Sequence, residues 1–378
     1  MKHVVVLVSN DVVFDQRIQK TASTLEQLGY RVSFVGRKHA NSPPLPEGMA
    51  GRRYRLPFRT GPGFYGALQA AFVADVLTRR RFDVVWANDL DTLFPARIAG
   101  WLRRVPVVFD SHEFFTEHAG LAERPRVQGF WRWWERRLMP GLKAVITVND
   151  AIADAFVDRF PGASFGRPLV VRNMPPLRAE MPRCDRSVFA PYGIPTDRPI
   201  ALLQGAYLDR DRGVLDAVNL LEAMEDVRLV LVGAGEEWDA ASALAARGVG
   251  GGRLHCLPRL PFAALCTLTA GADVGLSLDR DTSGNYRMSL PNKLFDYVHA
   301  GLPVVATALP EVRRVVEGHR LGEVVEKADP EALARAVRAV LEVDREVWRV
   351  RAADAALHLH WGVDAPRIAE ALNAAGAA

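Results

Sequence analysis

Short apolar runs recur along the chain, separated by longer segments whose apolar residues return with helical spacing. In the first half the runs lie at residues 4–8, 31–35, 83–86, 107–109 and 145–148, and each is apolar on both faces. Residues 14–28, closed by Gly29, form the first helix of the series. The alternation restarts at 200–203 and continues through 229–232, 253–257, 274–278 and 304–306. Strands apolar on both faces and separated by helices predict a parallel sheet covered on both sides. Between the halves, "RNMPPLRAEMPRCDRSVFAPYGIPTDRP" (Arg172 to Pro199) has six prolines and no periodicity, which marks a linker. The pattern therefore predicts two doubly wound α/β domains, residues 1–175 and 176–361, with a final helix in 362–378 packing back on the first. Ligands of such sheets sit beyond the carboxyl ends of the strands.

One stretch gives that fold a chemistry. "SLPNKLFDYVHAGLPVVAT" (Ser289 to Thr307) predicts a helix starting at Pro291 or Asn292, ended by Gly301 and Pro303 and followed by a buried strand. The first turn carries Lys293, although the exposed amides there favour a negative group. An anion at that helix start resolves the conflict. "LLQGAYLDRDRGVLDAV" (Leu202 to Val218) is a strand, a turn at Gly205, a polar loop and then Arg212 at another helix start, a second anion site in the same domain. Two such sites at two strand ends suit a diphosphate.

The 378 residues carry a net charge of +4 with a pI of 9.1, and about half are apolar. That balance fits a soluble enzyme for an anionic small ligand or a membrane surface better than a nucleic-acid coat. The apolar run in "MKHVVVLVSND" is too short for a signal peptide, and no run of about eighteen apolar residues exists. Cys184, Cys256 and Cys266 lack CxxC spacing and read as reduced thiols. Together these predict a cytoplasmic protein, with peripheral contact at the inner face of a membrane as an extension.

Other motifs are weaker. The first strand runs into Ser9, Asn10 and Asp11 without glycine, and "VGAGEEW" has Trp238 where a third glycine belongs, so a dinucleotide cofactor is not expected. "NDLD" (Asn88 to Asp91) and "DRD" (Asp279 to Asp281) look like metal-binding pairs, but Asp91 reads better as a helix cap, and no metal is assigned. His358 and His360 lack a third ligand. "GFWRWWERRLMPGLK" (Gly129 to Lys143) has two readings: an interfacial helix on an anionic membrane, or a core stripe of Phe130, Trp133, Trp134 and Leu138. The core stripe is preferred.

These residues carry a family resemblance over nearly the whole chain. "PNKLFDY" with "AGLPVVAT" resembles the donor motif of the GT-B-fold, retaining family-4 glycosyltransferases, usually PxKLFEY followed by xxGxPVVA. "QGAYLDRDRG" resembles their phosphate loop, and "DSHEFFTE" (Asp110 to Glu117) their active-site histidine motif. "FDQRIQKTASTLEQLGYRV" and "VVRNMP" also fit. The resemblance implies two Rossmann-like domains facing across a cleft and a nucleotide-diphosphate sugar as co-substrate, with no other cofactor or metal. It implies that Arg212, with Gly205, Lys293 and the amides of Leu294 and Phe295, holds the donor diphosphate. Asp296 takes the place of the ribose-binding glutamate. Met288 stands where the family often has a sugar-facing glutamate, which moves sugar contact to Asn285 and Tyr286. Arg259 in "CLPRLP" is the candidate base contact. His112 is assigned sugar orientation and charge stabilisation, and Asp15, Arg17 and Glu113 the acceptor side. The expected reaction moves a sugar to the hydroxyl of a small-molecule, glycan or lipid-linked acceptor, with retention. A sugar-nucleotide epimerase and a non-catalytic binding subunit are the alternatives.

Overall fold

The Val-rich runs do become the centres of two parallel sheets. The computed structural model describes residues 1–79 and 81–377. The chain divides into two units, Met1–Asn173 with Trp361–Ala378, and Met174–His360.

The first unit is built on seven strands: β1 (His3–Leu7), β2 (Arg31–Arg37), β3 (Ala50–Tyr54), β4 (Val84–Asn88), β5 (Val107–Ser111), β6 (Ala144–Thr147) and β7 (Leu169–Val170). They pair in parallel in the order β3-β2-β1-β4-β5-β6-β7. β1 is central, with Val6 opposite Phe34 on one side and Trp86 on the other. All five residues of β1 and of β4 are buried, as apolar alternation on both faces requires. The order reverses direction between β1 and β4, and that switch point opens a crevice at their carboxyl ends.

The second unit repeats the plan with β8 (Ile200–Gly205), β9 (Arg228–Gly233), β10 (Leu254–Pro258), β11 (Val274–Ser277), β12 (Val304–Thr307) and β13 (Gly322–Val325), ordered β10-β9-β8-β11-β12-β13. Its switch point lies between β8 and β11. These two strands pair at only two positions, Val274 with Ala201 and Gly275 with Leu202. The fully buried Tyr297 lies against Gly275, its hydroxyl 3.2 Å from the Leu202 carbonyl and 3.1 Å from that of Leu276. One side-chain donor thus serves carbonyls where the ladder stops.

Three strands have no counterpart in the sequence pattern. β3 (AGRRY) is polar and largely exposed, β7 is two residues long, and β13 is an edge strand with a mixed face. Edge strands need no apolar alternation, because one flank and often one face meet water.

The carboxyl terminus belongs to the first unit. Asp364 is fully buried and accepts from the Arg172 backbone N–H at 3.0 Å and from its guanidinium at 2.8 and 3.0 Å. Trp361 donates to Thr24 Oγ1 at 3.0 Å, with the Lys20 ammonium over its ring. The helix Pro366–Ala375 buries Ile368, Ala371 and Leu372, spaced i, i+3, i+4, against the first sheet's core.

The aromatic helix corrects the sequence reading. It runs Pro125–Leu138, and its buried face is Trp131, Glu135 and Leu138. Phe130 and Trp133 lie on the opposite face and are each half exposed. Phe130 and Trp133 are i, i+3 neighbours, which satisfies helical periodicity on either face. Of the predicted stripe, Leu138 is buried and Trp134 half-buried; the buried Glu135 pairs with Arg159 at 2.9 Å.

Candidate functional site

In the second unit, the loop after β8, the loop after β11 and the helix Asn292–Ala300 meet at the switch point. Gly213 begins the helix Val214–Ala223 at φ +70°, and a Cβ there would lie 2.2 Å from the Leu278 carbonyl oxygen. Only glycine fits so close to the end of β11. That close approach brings Arg212 onto Asp279, the second residue after β11. Arg212 Nη1 lies 2.8 Å from Asp279 Oδ1, and Lys293 Nζ lies 3.0 Å from Asp279 Oδ2. Asp279 and Lys293 are buried, while Arg212 remains about a third open, at 35% exposure. The Tyr286 ring supports Arg212 from one side, 5.0 Å from the guanidinium carbon, and is itself buried.

The anion beside Lys293 is therefore partly built in. Burial opposes the Asp279 charge, but Lys293 and Arg212 outweigh it and hold the carboxyl below its usual range. Burial pushes the Lys293 ammonium down, with Asp279 working against that shift and Arg212 adding to it. Two cations thus meet Asp279 beside a helix start. Pro291 occupies the N-cap with no side-chain cap, and the Leu294 N–H turns back on the Pro291 carbonyl at 3.1 Å. Phe295 is the first residue placed to donate within the helix. The available first-turn amides are thus those of Asn292 and Lys293, one to two residues before the expected Leu294 and Phe295 pair. Such an arrangement suits a phosphate or diphosphate.

Asp296, on the same helix, faces a narrow slot lined also by Gln204, Thr269, Cys266 and Arg178. Its Oδ2 accepts from Gln204 Nε2 at 3.2 Å, and Gln204 Oε1 accepts from Thr269 at 2.7 Å, so the carboxylate is oriented from behind. Gly205 ends β8 under the same loop. Arg259 is exposed, its guanidinium stacked 4.0 Å over the Tyr207 ring and its Nε bonded to the Ala206 carbonyl. Asn285 lies half-buried in the short helix Gly284–Arg287.

The first unit has its own cluster at its own switch point. His112 follows β5, and its backbone N–H donates to Asp89 Oδ1 at 2.8 Å. Its Nδ1 lies 3.4 Å from Asp89 Oδ2, and its Nε2 lies 3.5 Å from Asp110 Oδ2. Asp89 adopts φ 60° and ψ 163° where β4 turns into the helix Leu90–Arg103, a region that glycine enters freely and other residues only under strain. Burial opposes protonation of His112, but Asp89 and then Asp110 outweigh it and raise the imidazole to about 9. At neutral pH it is an imidazolium. Asp110 is held well below the carboxylate range by Arg17 and His112 against the cost of its burial. Burial pushes Asp89 up to about 6 against the pull of His112, and pushes Asp91, with help from Asp89, up to about 7. His112 and Asp89 open on a polar cavity of about 270 Å³ lined also by Ser9, Asn10, Asp15, Arg37, Phe64 and Asn88.

Two expectations change here. Arg17 is not on the cavity: it is 2% exposed, pairs with Asp110 at 2.6 and 3.2 Å, and donates to the Val171 carbonyl at 2.7 Å. It holds the carboxylate behind His112. Asp91 is not the helix cap either; it lies buried inside the first turn, and Asp89 occupies the N-cap position. Asp15 caps the helix Gln16–Gln27, accepting from the Ile18 N–H at 3.2 Å, and also reaches the cavity. Glu113 is half-buried beside His112, its carbonyl accepting from Ser111 Oγ at 2.7 Å.

Asp279, Asp89 and Gln204 are the residues that sequence reasoning did not assign. A signal existed for the first two: each is an acid just beyond the end of an apolar strand, where a charge cannot continue the sheet interior. No local pattern marks Gln204. No group of three metal-ligating side chains occurs among the described residues.

Comparison with known proteins agrees with this arrangement. The family model described as "Glycosyl transferase 4-like domain" matches residues 15–173, and that described as "Glycosyl transferases group 1" matches residues 206–343. Phosphatidyl-myo-inositol mannosyltransferase of Mycobacterium leprae is 30% identical over 185 residues, 47% of this chain and 46% of that protein. The chain thus spans about half the length of this curated relative. Among solved structures, sucrose-phosphate synthase from Thermosynechococcus elongatus superimposes with a TM-score of 0.76 at 17% identity, over 98% of each chain. HepE from Anabaena in complex with UDP superimposes with a TM-score of 0.73 at 17% identity, over 99% of this chain and 100% of that one. At such identities the structures establish the fold. Matched in both halves by glycosyl transferase models and along its length by GT-B structures, the chain belongs to the glycosyltransferases.

Proposed function

We propose that the protein transfers a sugar from a nucleoside-diphosphate donor to a hydroxyl of a small-molecule, glycan or lipid-linked acceptor, with retention and without a metal. The observation that carries this reading is the cluster of Arg212, Asp279 and Lys293 beside an uncapped helix start at the β8/β11 switch point. Arg212 and the first-turn amides of Asn292 and Lys293 hold the diphosphate, and neutralise the charge that grows on it as the sugar leaves. Those fixed cations do the work that a divalent ion does elsewhere. Asp296 accepts from the ribose hydroxyls, with Gln204 fixing its orientation. Asn285 and Tyr286 border the sugar, and Arg259 with Tyr207 offers a stacking surface for the base.

His112 contributes positive charge rather than a proton-accepting nitrogen, because Asp89 and Asp110 keep it protonated. That charge suits it to stabilising negative charge. Asp15 and Glu113 contact the acceptor. Retention follows from the motif resemblance, with the departing phosphate taking the acceptor proton on the same face. UDP is the first base to test, since a structure of the same fold binds it. Cytoplasmic residence with peripheral contact at the inner face of a membrane completes the reading. No helix among the described residues is long and apolar enough to cross one.

Calorimetric titration of uridine and UDP in EDTA, on the wild type, Arg212→Ala and Asp296→Ala, tests the assignment. Arg212→Ala removes a charge-assisted contact of roughly 1.5–3 kcal/mol, so UDP binding weakens about ten- to a hundredfold while uridine is unaffected. Asp296→Ala weakens both ligands. Equal losses of uridine and UDP affinity in the Arg212 variant, or no UDP binding in EDTA, would sink the reading.

A further inference from the structure

The helices Leu90–Arg103 and Pro125–Leu138 of the first unit leave an aromatic surface uncovered. Along the second helix, Arg126, Phe130, Trp133 and Arg137 are spaced i, i+4, i+7 and i+11, one stripe opposite the buried Trp131, Glu135 and Leu138. Phe130 and Trp133 are each 50% exposed. Their rings continue into Trp134, with centroids 5.7 Å and 5.5 Å from it, and Trp134 meets Phe94 of the other helix at 5.0 Å. Seven residues on from Phe94, on the same side of its helix, Trp101 is 76% exposed, and Leu102 beside it is half exposed. An exposed aromatic cluster with a further exposed tryptophan two turns away is rare on a surface that meets only water.

The two helices themselves expose charge of one sign. The two helices contain one acid each, Asp91 and Glu135, and both are buried. Against these stand the exposed Arg103, Arg126, Arg136 and Arg137, with Arg104 just beyond the first helix. Arg126, Arg136 and Arg137 pair with no carboxylate among the described residues. A protein partner of ordinary composition would be met by interspersed charges of both signs. Tryptophan and phenylalanine on helices whose exposed charges are all arginines match the boundary between headgroups and acyl chains of an anionic bilayer, where an aromatic ring sits at headgroup depth and guanidinium groups reach lipid phosphates.

We propose that this face of the first unit, with Trp101, Phe130 and Trp133 at its centre and Arg126, Arg136 and Arg137 at its rim, docks on a membrane surface containing anionic lipid. The proposal deepens the peripheral contact named above and is independent of the donor assignment, which the UDP titration tests separately.

The test is sedimentation of the full chain with vesicles of phosphatidylcholine alone and of phosphatidylcholine with one-third phosphatidylglycerol. The wild type should pellet with the anionic vesicles, release as salt rises, and stay in solution with the neutral ones. Each arginine near an anionic surface is worth on the order of a fivefold gain in partitioning, so Arg126→Gln/Arg136→Gln/Arg137→Gln should weaken it about 100-fold. Phe130→Ser/Trp133→Ser should lose binding at any salt. Both variants alter exposed side chains, so unchanged melting temperature and UDP affinity identify the loss as one of docking. Equal binding to both vesicle types, no binding by the wild type, or variants that pellet like the wild type would overturn the proposal. So would a wild-type dimer that Phe130→Ser/Trp133→Ser converts to monomer, because this face would then be a subunit interface.

Discussion

Asp279→Asn is the sharpest probe of the donor site, because it removes one charge and almost no volume. Asp279 is 1% exposed between Arg212 and Lys293, at 2.8 and 3.0 Å. Removing one member of a buried ion pair costs about 3–5 kcal/mol, since the remaining charge stays desolvated. Arg212 is a third open to water, so the cost should fall at the lower end, about 3 kcal/mol. Its pH dependence has a definite sign. Lys293 is already held below its usual range by burial and by Arg212, with Asp279 the group that resists. Without Asp279 its folded-state value falls further. A depressed lysine penalises folding below that value, and the penalty fades as pH rises above it. The deficit of Asp279→Asn, measured by urea unfolding, should therefore be largest near pH 6 and shrink toward pH 10. UDP should offset more of the deficit than it adds to the wild type at the same concentration, because its phosphates replace the lost counter-charge, whereas uridine should offset none. Adding Lys293→Met should recover most of the loss, as these are coupled rather than additive sites. A variant as stable as the wild type, or one rescued equally by uridine and UDP, would refute the reasoning.

Two further outcomes concern the first unit. His112→Gln keeps the ring's approximate reach but not its charge; turnover should fall about 10²–10³-fold with UDP affinity unchanged, and near-wild-type turnover would return His112 to a structural role. Asp91 is buried and rises from 3.8 to about 7, so the wild type loses its contribution as pH climbs from 4 through 7; Asp91→Asn should gain on it by up to about 4 kcal/mol over that window and not at all below pH 4. Parallel stability curves for the two proteins would show that Asp91 ionises in the fold without penalty.

The sequence by itself determined the layer plan. Strands apolar on both faces, separated by helices, allow little but a covered parallel sheet, and the proline-rich break at Arg172 to Pro199 separates two of them. It also determined which glycine turns and helix starts stand at strand ends, because Gly213, Pro291 and Gly301 act through local backbone geometry. The tertiary structure decided everything that depends on which charges meet. Asp279 is 67 residues from Arg212 and 14 from Lys293, and Asp110 is 93 from Arg17, so no local pattern could tell a surface acid from the counter-ion of a binding site. Arg17 looked like a contact for an acceptor and became the support of Asp110. On the helix Pro125–Leu138, the stripe Phe130, Trp133, Trp134 and Leu138 satisfied helical periodicity, yet of these only Leu138 is on the buried face. The fold buried the face that contains Glu135, which pairs with Arg159. An apolar stripe is buried by what lies opposite it, and that neighbour is supplied by the fold.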